Sequence, residues 1–162
     1  MMKNVFTVLF LFVAVTIVQA QVKEGVKYQI VNKSGRVLDV HKGSKDNGAN
    51  VQLWDNNKST GQQFTFINAT GGYYYIKNVN SGKALDFYKG IDKRKTNVTQ
   101  YQINLTDAQR FKIVNDKDGY VYIMTKGGNC LSSETVHGQK GSNVLLWSKN
   151  NVARWKLVEF KK

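Results

Sequence analysis

Two pairs of an aspartate and an aromatic residue stand out in the sequence because the same spacing separates their members. Asp39 precedes Trp54 by fifteen residues, and Asp86 precedes Tyr101 by the same interval. A carboxylate can accept hydrogen bonds from two hydroxyl groups, and an aromatic ring offers an apolar wall at a small entropic cost. Such a pair suits a molecule with hydroxyls on its rim and C–H groups on one face, as a neutral sugar has.

Further polar residues accompany each pair. Gln52 lies two residues before Trp54, and therefore on the same face of a predicted strand, while His41 shares a face with Asp39. In the second pair, Thr99 replaces the glutamine. The candidate binding residues are Asp39, His41, Gln52, Trp54 and Gln62 in the first group, and Asp86, Tyr88, Tyr101 and Gln109 in the second.

A third copy of the pattern lacks the carboxylate. Ser132 stands fifteen residues before Trp147, at the position that the aspartate takes in the other two copies. A hydroxyl group cannot replace the charged acceptors of a carboxylate. We therefore expect the third copy to be silent, with Trp147 kept for packing or for a weak contact.

These positions belong to an internal repeat that covers most of the chain. The offset is 47 residues from Asp39 to Asp86 and 46 from Asp86 to Ser132. The repeats span approximately 26–72, 73–119 and 120–160, within one domain at 21–162. The phase-matched apolar residues are predicted to form the core: Leu38, Leu85, Leu131, Phe64, Phe111 and Trp155.

Short β-prone runs recur in each repeat, and Gly, Asn, Asp and Ser separate them. The runs lie near 27–32, 37–42, 50–55 and 63–68; near 73–78, 84–89, 97–102 and 110–115; and near 120–126, 130–134, 143–148 and 154–160. No stretch after residue 20 shows a convincing 3.6-residue apolar period. The pattern predicts an all-β domain of three four-stranded units around a common axis, since a propeller needs more blades.

The repeated motifs resemble those of the ricin B-type lectins over about residues 26–160. The resemblance rests on Leu-Asp, followed by Gln-Leu-Trp, and on a closing Gln-x-Phe/Trp in phase. The closing motif stands here as Gln62-Gln63-Phe64 and Gln109-Arg110-Phe111, and it is degraded to Ala153-Arg154-Trp155 in the third repeat. The resemblance implies a β-trefoil fold and a carbohydrate-binding function, with galactose-type glycans as partners.

The resemblance also implies a role for individual residues. Asp39 would bind sugar hydroxyls, Trp54 would stack on the sugar ring and Gln62 would brace the aspartate. One departure concerns the residue before the closing glutamine, where the family often has an asparagine that donates to a sugar hydroxyl. Gly61 takes this position in the first repeat, where Asn56 or Asn57 could substitute, and Ala108 takes it in the second.

The first twenty residues have the pattern of a secretory signal peptide. Lys3 is followed by an uncharged apolar run at 5–18 and by small residues ending at Ala20. A membrane anchor needs roughly 18 or more apolar residues, so we expect cleavage and a secreted, extracellular protein. Removing 20 of the 162 residues, with one of the 24 basic residues, leaves 142 residues and a net charge of +12. Five sequons predict a glycoprotein: Asn32, Asn57, Asn68, Asn97 and Asn104.

The formal net charge of +13 supports an alternative function. A basic β-trefoil could bind anionic polymers, such as sulfated glycans or acidic surfaces, by electrostatic attraction. The densest basic run is Lys93-Arg94-Lys95. Nucleic acid is not an expected partner, because no nucleic-acid-binding signature is present, and no later segment is apolar enough for integral membrane contact.

Catalysis has little support in the sequence. The chain has two histidines and the single Cys130, with no local signature of a nucleophile and its base. These residues do not have the spacing of a zinc site. We therefore predict no enzyme activity, metal or cofactor. Cys130 cannot form an internal disulfide and is expected to be a buried apolar residue; by resemblance, its family partner would fall near Lys149.

Overall fold

The structure, a computed structural model, describes residues 22–161, which form strands and short 3-10 turns without an α-helix. The predicted signal peptide at 1–20 lies outside the described residues. The strands are β1 (Tyr28–Asn32), β2 (Val37–Val40), β3 (Val51–Trp54), β4 (Phe64–Ala69), β5 (Tyr73–Asn78), β6 (Ala84–Phe87), β7 (Val98–Tyr101), β8 (Lys112–Asn115), β9 (Val121–Met124), β10 (Cys130–Ser133), β11 (Val144–Trp147) and β12 (Trp155–Glu159). The prediction of three four-stranded units is confirmed.

Six of the strands close into an antiparallel barrel. β1 pairs with β4 and β12, β4 pairs with β5, and β9 pairs with β8 and β12. A bridge between Tyr74 and Phe111 joins β5 to the residue before β8 and completes the ring. Because the ring is closed, these strands keep no free edge for another chain to pair with.

The other six strands form three hairpins, β2–β3, β6–β7 and β10–β11. Isolated bridges join β3 to β7, β3 to β11, and β7 to β11, so that the hairpins make a triangular cap. Asn50, Asn97 and Asn143 occupy the same position in the three repeats. Asn97 Nδ2 donates to Asn50 Oδ1 over 2.9 Å, and Asn143 Nδ2 donates to Asn97 Oδ1 over 2.6 Å. The barrel and cap are the β-trefoil that the resemblance implies.

The phase-matched apolar residues meet in one core. Leu38, Leu85 and Leu131 are fully buried, as are the aromatic residues that close each repeat. Burying one such leucine stabilises the fold by about 1.5–3 kcal/mol. The indole Nε1 of Trp155 also donates to the Leu131 carbonyl over 2.9 Å, so its buried polar atom is satisfied. The core prediction is confirmed.

Cys130 is a free, buried thiol, as expected. Burial raises the pKa of this thiol to about 11, so the protonated form dominates at neutral pH. The Lys149 ammonium lies 4.6 Å from the centre of the Tyr122 ring. Cys130 packs with Tyr122 and Ala153, so packing holds this part of the fold in place of the disulfide that the resemblance implies.

Among the strands that end earlier than predicted, β2 and β6 each stop at a left-handed turn. β2 and β6 were expected to reach residues 42 and 89, whereas they end at Val40 and Phe87. Lys42 and Lys89, each with φ 54°, lie in the short turns His41–Gly43 and Tyr88–Gly90. A left-handed residue cannot continue an extended strand. His41 therefore lies on a turn rather than on the strand face predicted for it.

Candidate functional site

The register of the cap hairpins brings the predicted residues of each repeat to one face. Asp39 lies directly opposite Gln52 in the β2–β3 hairpin, and Trp54 follows Gln52 by two residues. Side chains two residues apart on a strand point the same way. The three side chains therefore share the outer wall of one hairpin, and the β6–β7 hairpin repeats the arrangement with Asp86 opposite Thr99.

The first depression, of about 470 Å³, lies beside Asp39 and Trp54. Asp39 Oδ1 accepts from Gln52 Nε2 and Asp39 Oδ2 accepts from Gln62 Nε2, both over 3.0 Å. His41 Nδ1 lies 3.1 Å from Gln52 Oε1, so the imidazole joins the same network from its turn. The carboxylate is thus fixed in direction before any ligand arrives.

A short turn positions the closing glutamine. Gln62 ends the 3-10 turn Thr60–Gln62 and is fully buried. Besides Asp39, its amide nitrogen donates to the Asp55 carbonyl over 2.9 Å, and its oxygen accepts from the Asn57 backbone N–H over 2.9 Å. Gln62 therefore joins the carboxylate to the loop that follows β3.

The second depression, of about 600 Å³, has the same plan with fewer donors. Gln109 Nε2 donates to Asp86 Oδ2 over 3.0 Å. The hydroxyl of Thr99 donates to the backbone carbonyl of Asp86 over 3.4 Å, rather than to its carboxylate. The apolar wall is formed by Tyr88 and Tyr101, which are 51% and 38% exposed. The second site is therefore wider and less constrained than the first.

The third depression, of about 440 Å³, is lined by Ser132 and Trp147, and Ser132 replaces the buried aspartate of the other two; its one lining carboxylate among residues 22–161 is the exposed Glu134. The Ser132 hydroxyl donates to the neighbouring Ser133 carbonyl over 3.3 Å. Asn150 lines the depression, and its Oδ1 accepts from the backbone N–H groups of the turn that precedes β12. The cavity persists here although the acidic residue is missing.

Both aspartates are buried without a cationic partner. Asp39 and Asp86 are each 7% exposed, and neither forms an ion pair with any described residue between 22 and 161. Burial raises the pKa of Asp86, and the hydrogen bond from Gln109 partly opposes that shift. Each carboxylate thus keeps acceptor capacity beside a depression.

Some residues that line the depressions were not predicted from the sequence, because segments distant along the chain bring them there. Asn80 reaches the first depression from the second repeat, where its amide donates to the Gly43 carbonyl over 2.7 Å. Asn57 lines the same depression, whereas Asn56 is bonded to Gln29 over 2.8 and 2.9 Å. The other unpredicted lining residues are Lys42, Gly43, Ser59 and Thr60 at the first depression, and Gly48, Lys89, Gly90, Asn104, Thr106 and Asp107 at the second.

Three further observations concern the described residues alone. Within 22–161, no group of three or more His, Cys, Asp or Glu side chains could hold a metal ion. In the same range, no helix is long and apolar enough to span a membrane. Among the sequon asparagines, Asn57, Asn68 and Asn104 are exposed, while Asn32 is buried.

The chain is similar to known proteins in sequence and in structure. A family model described as "Ricin-type beta-trefoil lectin domain-like" matches residues 15–101 and 60–147. A search of curated protein sequences gave no match. The designed threefold-symmetric protein ThreeFoil is 31% identical, with a TM-score of 0.80, over 83% of this chain and 99% of its own.

Two natural proteins have similar structures. The exo-β-1,3-galactanase 1,3Gal43A of Clostridium thermocellum is 33% identical, with a TM-score of 0.81, over 86% of this chain; the match spans 31% of the galactanase. The ricin B-like lectin of Macrolepiota procera, solved in complex with lactose, is 23% identical with a TM-score of 0.73, over 86% of this chain and 99% of its own. The family match extends over most of the chain, and the chain belongs to the ricin-type β-trefoil lectin domain-like family.

Proposed function

We propose that this protein is a secreted lectin that binds glycans at the first and second depressions. In each, the buried aspartate accepts hydrogen bonds from sugar hydroxyls and the aromatic residue covers an apolar face of the sugar ring. Gln62 and Gln109 hold the carboxylates in place. Two sites on one chain allow multivalent attachment to a glycan-covered surface, so that weak sites give useful avidity.

The third repeat differs from the first two in a way that supports the proposal. A buried carboxylate without a cationic partner is unfavourable, so it needs a reason to be present. Ser132 occupies the same position in the third repeat, where the hairpin pairing and the depression are preserved. The fold therefore does not require an acid at this position, and ligand binding accounts for Asp39 and Asp86.

A neutral, galactose-type saccharide is the ligand class we favour. The support is the family resemblance, together with the lactose bound to the Macrolepiota procera lectin. Secretion is part of the proposal and rests on the signal pattern at 1–20. The exposed sequons Asn57, Asn68 and Asn104 are the positions at which we propose N-glycans in a eukaryotic secretory pathway.

Binding without hydrolysis is proposed because, among the described residues, neither depression has two unpaired carboxylates that could act as an acid and a base. The first depression is lined by one carboxylate, Asp39. The second has Asp107 as well as Asp86, but Asp107 is bound to Lys126 over 3.0 Å and to Arg110 over 3.3 Å. We expect no release of reducing sugar from glycans that the protein binds.

Substitution by the residue of the third repeat tests the proposal. Asp39→Ser and Asp86→Ser should each weaken lactose binding at their own site by roughly tenfold or more, because each removes hydrogen bonds to a charged acceptor. The double variant should lose attachment to a lactose-coated surface. Calorimetry and a glycan array measure the two effects, and circular dichroism should show an unchanged fold.

A control and a salt series make the outcome decisive. Asp118→Asn removes one exposed acid that lines none of the three depressions, and it should bind lactose like the wild type. Lactose binding should persist in high salt, whereas attachment to an anionic polymer by charge weakens steeply. Lactose binding that is unchanged in the double aspartate variant would contradict the site assignment.

A further inference from the structure

A lysine occupies a backbone position in the second repeat that glycine occupies in the other two. Gly48, Lys95 and Gly141 have φ angles of 80°, 70° and 80°. Their backbone N–H groups donate to the carbonyls of Gln100, Leu146 and Leu53 over 2.7, 2.8 and 2.8 Å. The three positions are therefore equivalent, and the left-handed conformation is one that glycine adopts readily and lysine does not.

The fold itself does not require a side chain at this position. A non-glycine residue in the left-handed region costs about 1–3 kcal/mol, and the described part of the chain also accepts this cost at Lys42, Lys58, Lys89, Leu105 and Asp118. Neither Asn nor Asp, which tolerate the conformation best after glycine, stands at residue 95. What distinguishes Lys95 is that glycine stands at both equivalent positions and that Lys95 lines a depression.

Each of these turns lies beside the depression of a neighbouring hairpin. Gly48 lines the second depression, Lys95 lines the third, and a Cβ at Gly141 would lie 3.7 Å from the Trp54 ring of the first. Lys95 is thus the one of the three that places a residue with a charged side chain at the edge of a depression. That depression is also the one in which Ser132 has replaced the aspartate.

A second cation lies beside Trp147, one of the residues that line this depression. The Arg94 guanidinium lies 5.4 Å from the centre of the Trp147 ring, and Lys140 lies 4.6 Å from the centre of the Trp54 ring at the equivalent position. Lys140 is neutralised by Asp55, whose carboxylate is 2.9 Å away. The residue equivalent to Asp55 is Ser148 in the third repeat.

Two cations without an acidic partner among the described residues therefore lie in or beside the third depression. Neither Arg94 nor Lys95 forms an ion pair in the part of the chain that the structure describes, 22–161. Glu134 lines the depression as an exposed residue and lies outside ion-pairing distance of both. Compared with the other two sites, the third has exchanged a buried acid for a hydroxyl and a glycine for a lysine.

We infer that the third depression binds an anionic saccharide, one that carries a carboxylate or a sulfate. Lys95 and Arg94 bind the acidic group, since charge-assisted hydrogen bonds are the strong ones. Trp147 supplies the apolar wall, and Ser132 with Asn150 meets the hydroxyls. The inference rests on the proposed function in taking the aromatic wall to face a sugar, and it is an alternative to the expectation that the third copy is silent.

The test isolates this site in the Asp39→Ser/Asp86→Ser background. Calorimetry compares lactose, lactose sulfated on its galactose unit, a disaccharide ending in glucuronic acid, and inorganic sulfate. We expect a charged disaccharide to bind and both neutral lactose and inorganic sulfate to bind far more weakly. The ratio of the two charged disaccharides identifies the preferred acidic group. Binding of neither would overturn the inference.

Lys95→Gly is the decisive variant because it restores the residue of the other repeats. It should weaken binding of the charged disaccharide about tenfold, as expected for the loss of a hydrogen bond between charged groups, while raising the melting temperature through relief of the left-handed conformation. Unfolding therefore cannot explain the loss. Retained affinity in Lys95→Gly would overturn the inference.

Lys58→Gly is the matched control. Lys58 has φ 60°, is exposed and does not line the third depression. Its replacement removes the same charge and relieves the same conformation, and it should leave binding unchanged. An equal loss in Lys58→Gly would mean general electrostatic attraction and would overturn the inference. Absence of lactose binding to the wild-type protein, with charged disaccharides still bound, would instead contradict the proposed function of the first two sites.

Discussion

The equivalent aspartates of the first and second depressions are held by hydrogen bonds in two different ways. Asp39 receives one amide donor on each oxygen, from Gln52 and from Gln62. Asp86 receives one from Gln109, because Thr99 at the position of Gln52 is bonded to the backbone. One repeat thus fixes both oxygens, while the other leaves Asp86 Oδ1 to the ligand and to solvent. Equivalent positions in a repeat protein can therefore differ in the number of donors that hold a side chain while the strand pairing stays the same.

The apolar walls differ in the same direction. Trp54 is half-buried and has the Lys140 ammonium over its ring, and that lysine is paired with Asp55. Tyr101 and Tyr88 are more exposed around a larger depression. We expect binding at the first site to depend chiefly on oriented hydrogen bonds, and binding at the second to depend more on contact with the tyrosine rings.

Removal of the closing glutamine should have the largest effect and should separate the two sites. Gln62→Ala and Gln109→Ala should each lower the free energy of unfolding by about 2–3 kcal/mol, because each leaves buried polar groups without partners. Their effects on lactose binding should differ. Asp39 keeps a donor from Gln52, so its site should weaken about threefold, whereas Asp86 loses its remaining amide donor and should weaken more than tenfold.

Each glutamine variant is measured with the other site silenced, Gln62→Ala with Asp86→Ser and Gln109→Ala with Asp39→Ser. Urea unfolding gives the stability, and calorimetry gives the affinity for lactose. Equal losses of affinity in the two variants would show that the second amide donor at Asp39 has no effect on orientation.

Acidification should affect the second site through Asp86. Burial raises the pKa of this carboxyl above its ordinary value of 3.8, and a protonated carboxyl loses acceptor capacity for sugar hydroxyls. In the Asp39→Ser variant, lactose affinity should therefore fall with decreasing pH at a midpoint above 3.8. Thr99→Gln, which adds the donor found in the first repeat, should move the midpoint to lower pH. An unmoved midpoint would contradict this explanation.

The same pKa shift has a defined sign for stability. Because the folded pKa is raised, Asp86 contributes stability that is present below the unfolded-state pKa and is lost as pH rises through the folded pKa. The wild-type protein should therefore lose free energy of unfolding relative to Asp86→Asn across that interval. Urea unfolding at several pH values measures it, and parallel curves would contradict the shift.

Structural features that depend on a single hairpin can be predicted from the sequence. Features that depend on contacts between neighbouring repeats cannot. The twelve strands lie within two residues of their predicted bounds, because alternation and turn residues act locally. The shared face of Gln52 and Trp54 follows from the two-residue period of a strand. Asn80 and Lys95 reach their depressions across a repeat boundary, and only closure of the trefoil determines which loop meets which hairpin.

Substitution of Gly61, the residue before the closing Gln62, should have the smallest effect on lactose binding and allows a detailed comparison with the second repeat. Gly61 is buried, and a Cβ there would lie 3.5 Å from Gly43 Cα, an ordinary contact. Gly61→Ala copies Ala108 of the second repeat and should leave lactose affinity unchanged while stabilising the fold by about 0.4–1 kcal/mol. Gly61→Asn installs the amide that resembles the family motif and should strengthen lactose binding about threefold, the effect of one net hydrogen bond.

The two variants at Gly61 separate the effect of the backbone from that of the new donor. Calorimetry in the Asp86→Ser background compares them at one site. One outcome is a higher lactose affinity in Gly61→Asn than in Gly61→Ala. That result would mean that Asp39, although held by two amides, still accepts a ligand whose hydroxyl lies within reach of residue 61. Equal affinities would mean that the network of Gln52 and Gln62 directs the carboxylate away from that hydroxyl, and the first site would then recognise its sugar from the side of His41 and Trp54.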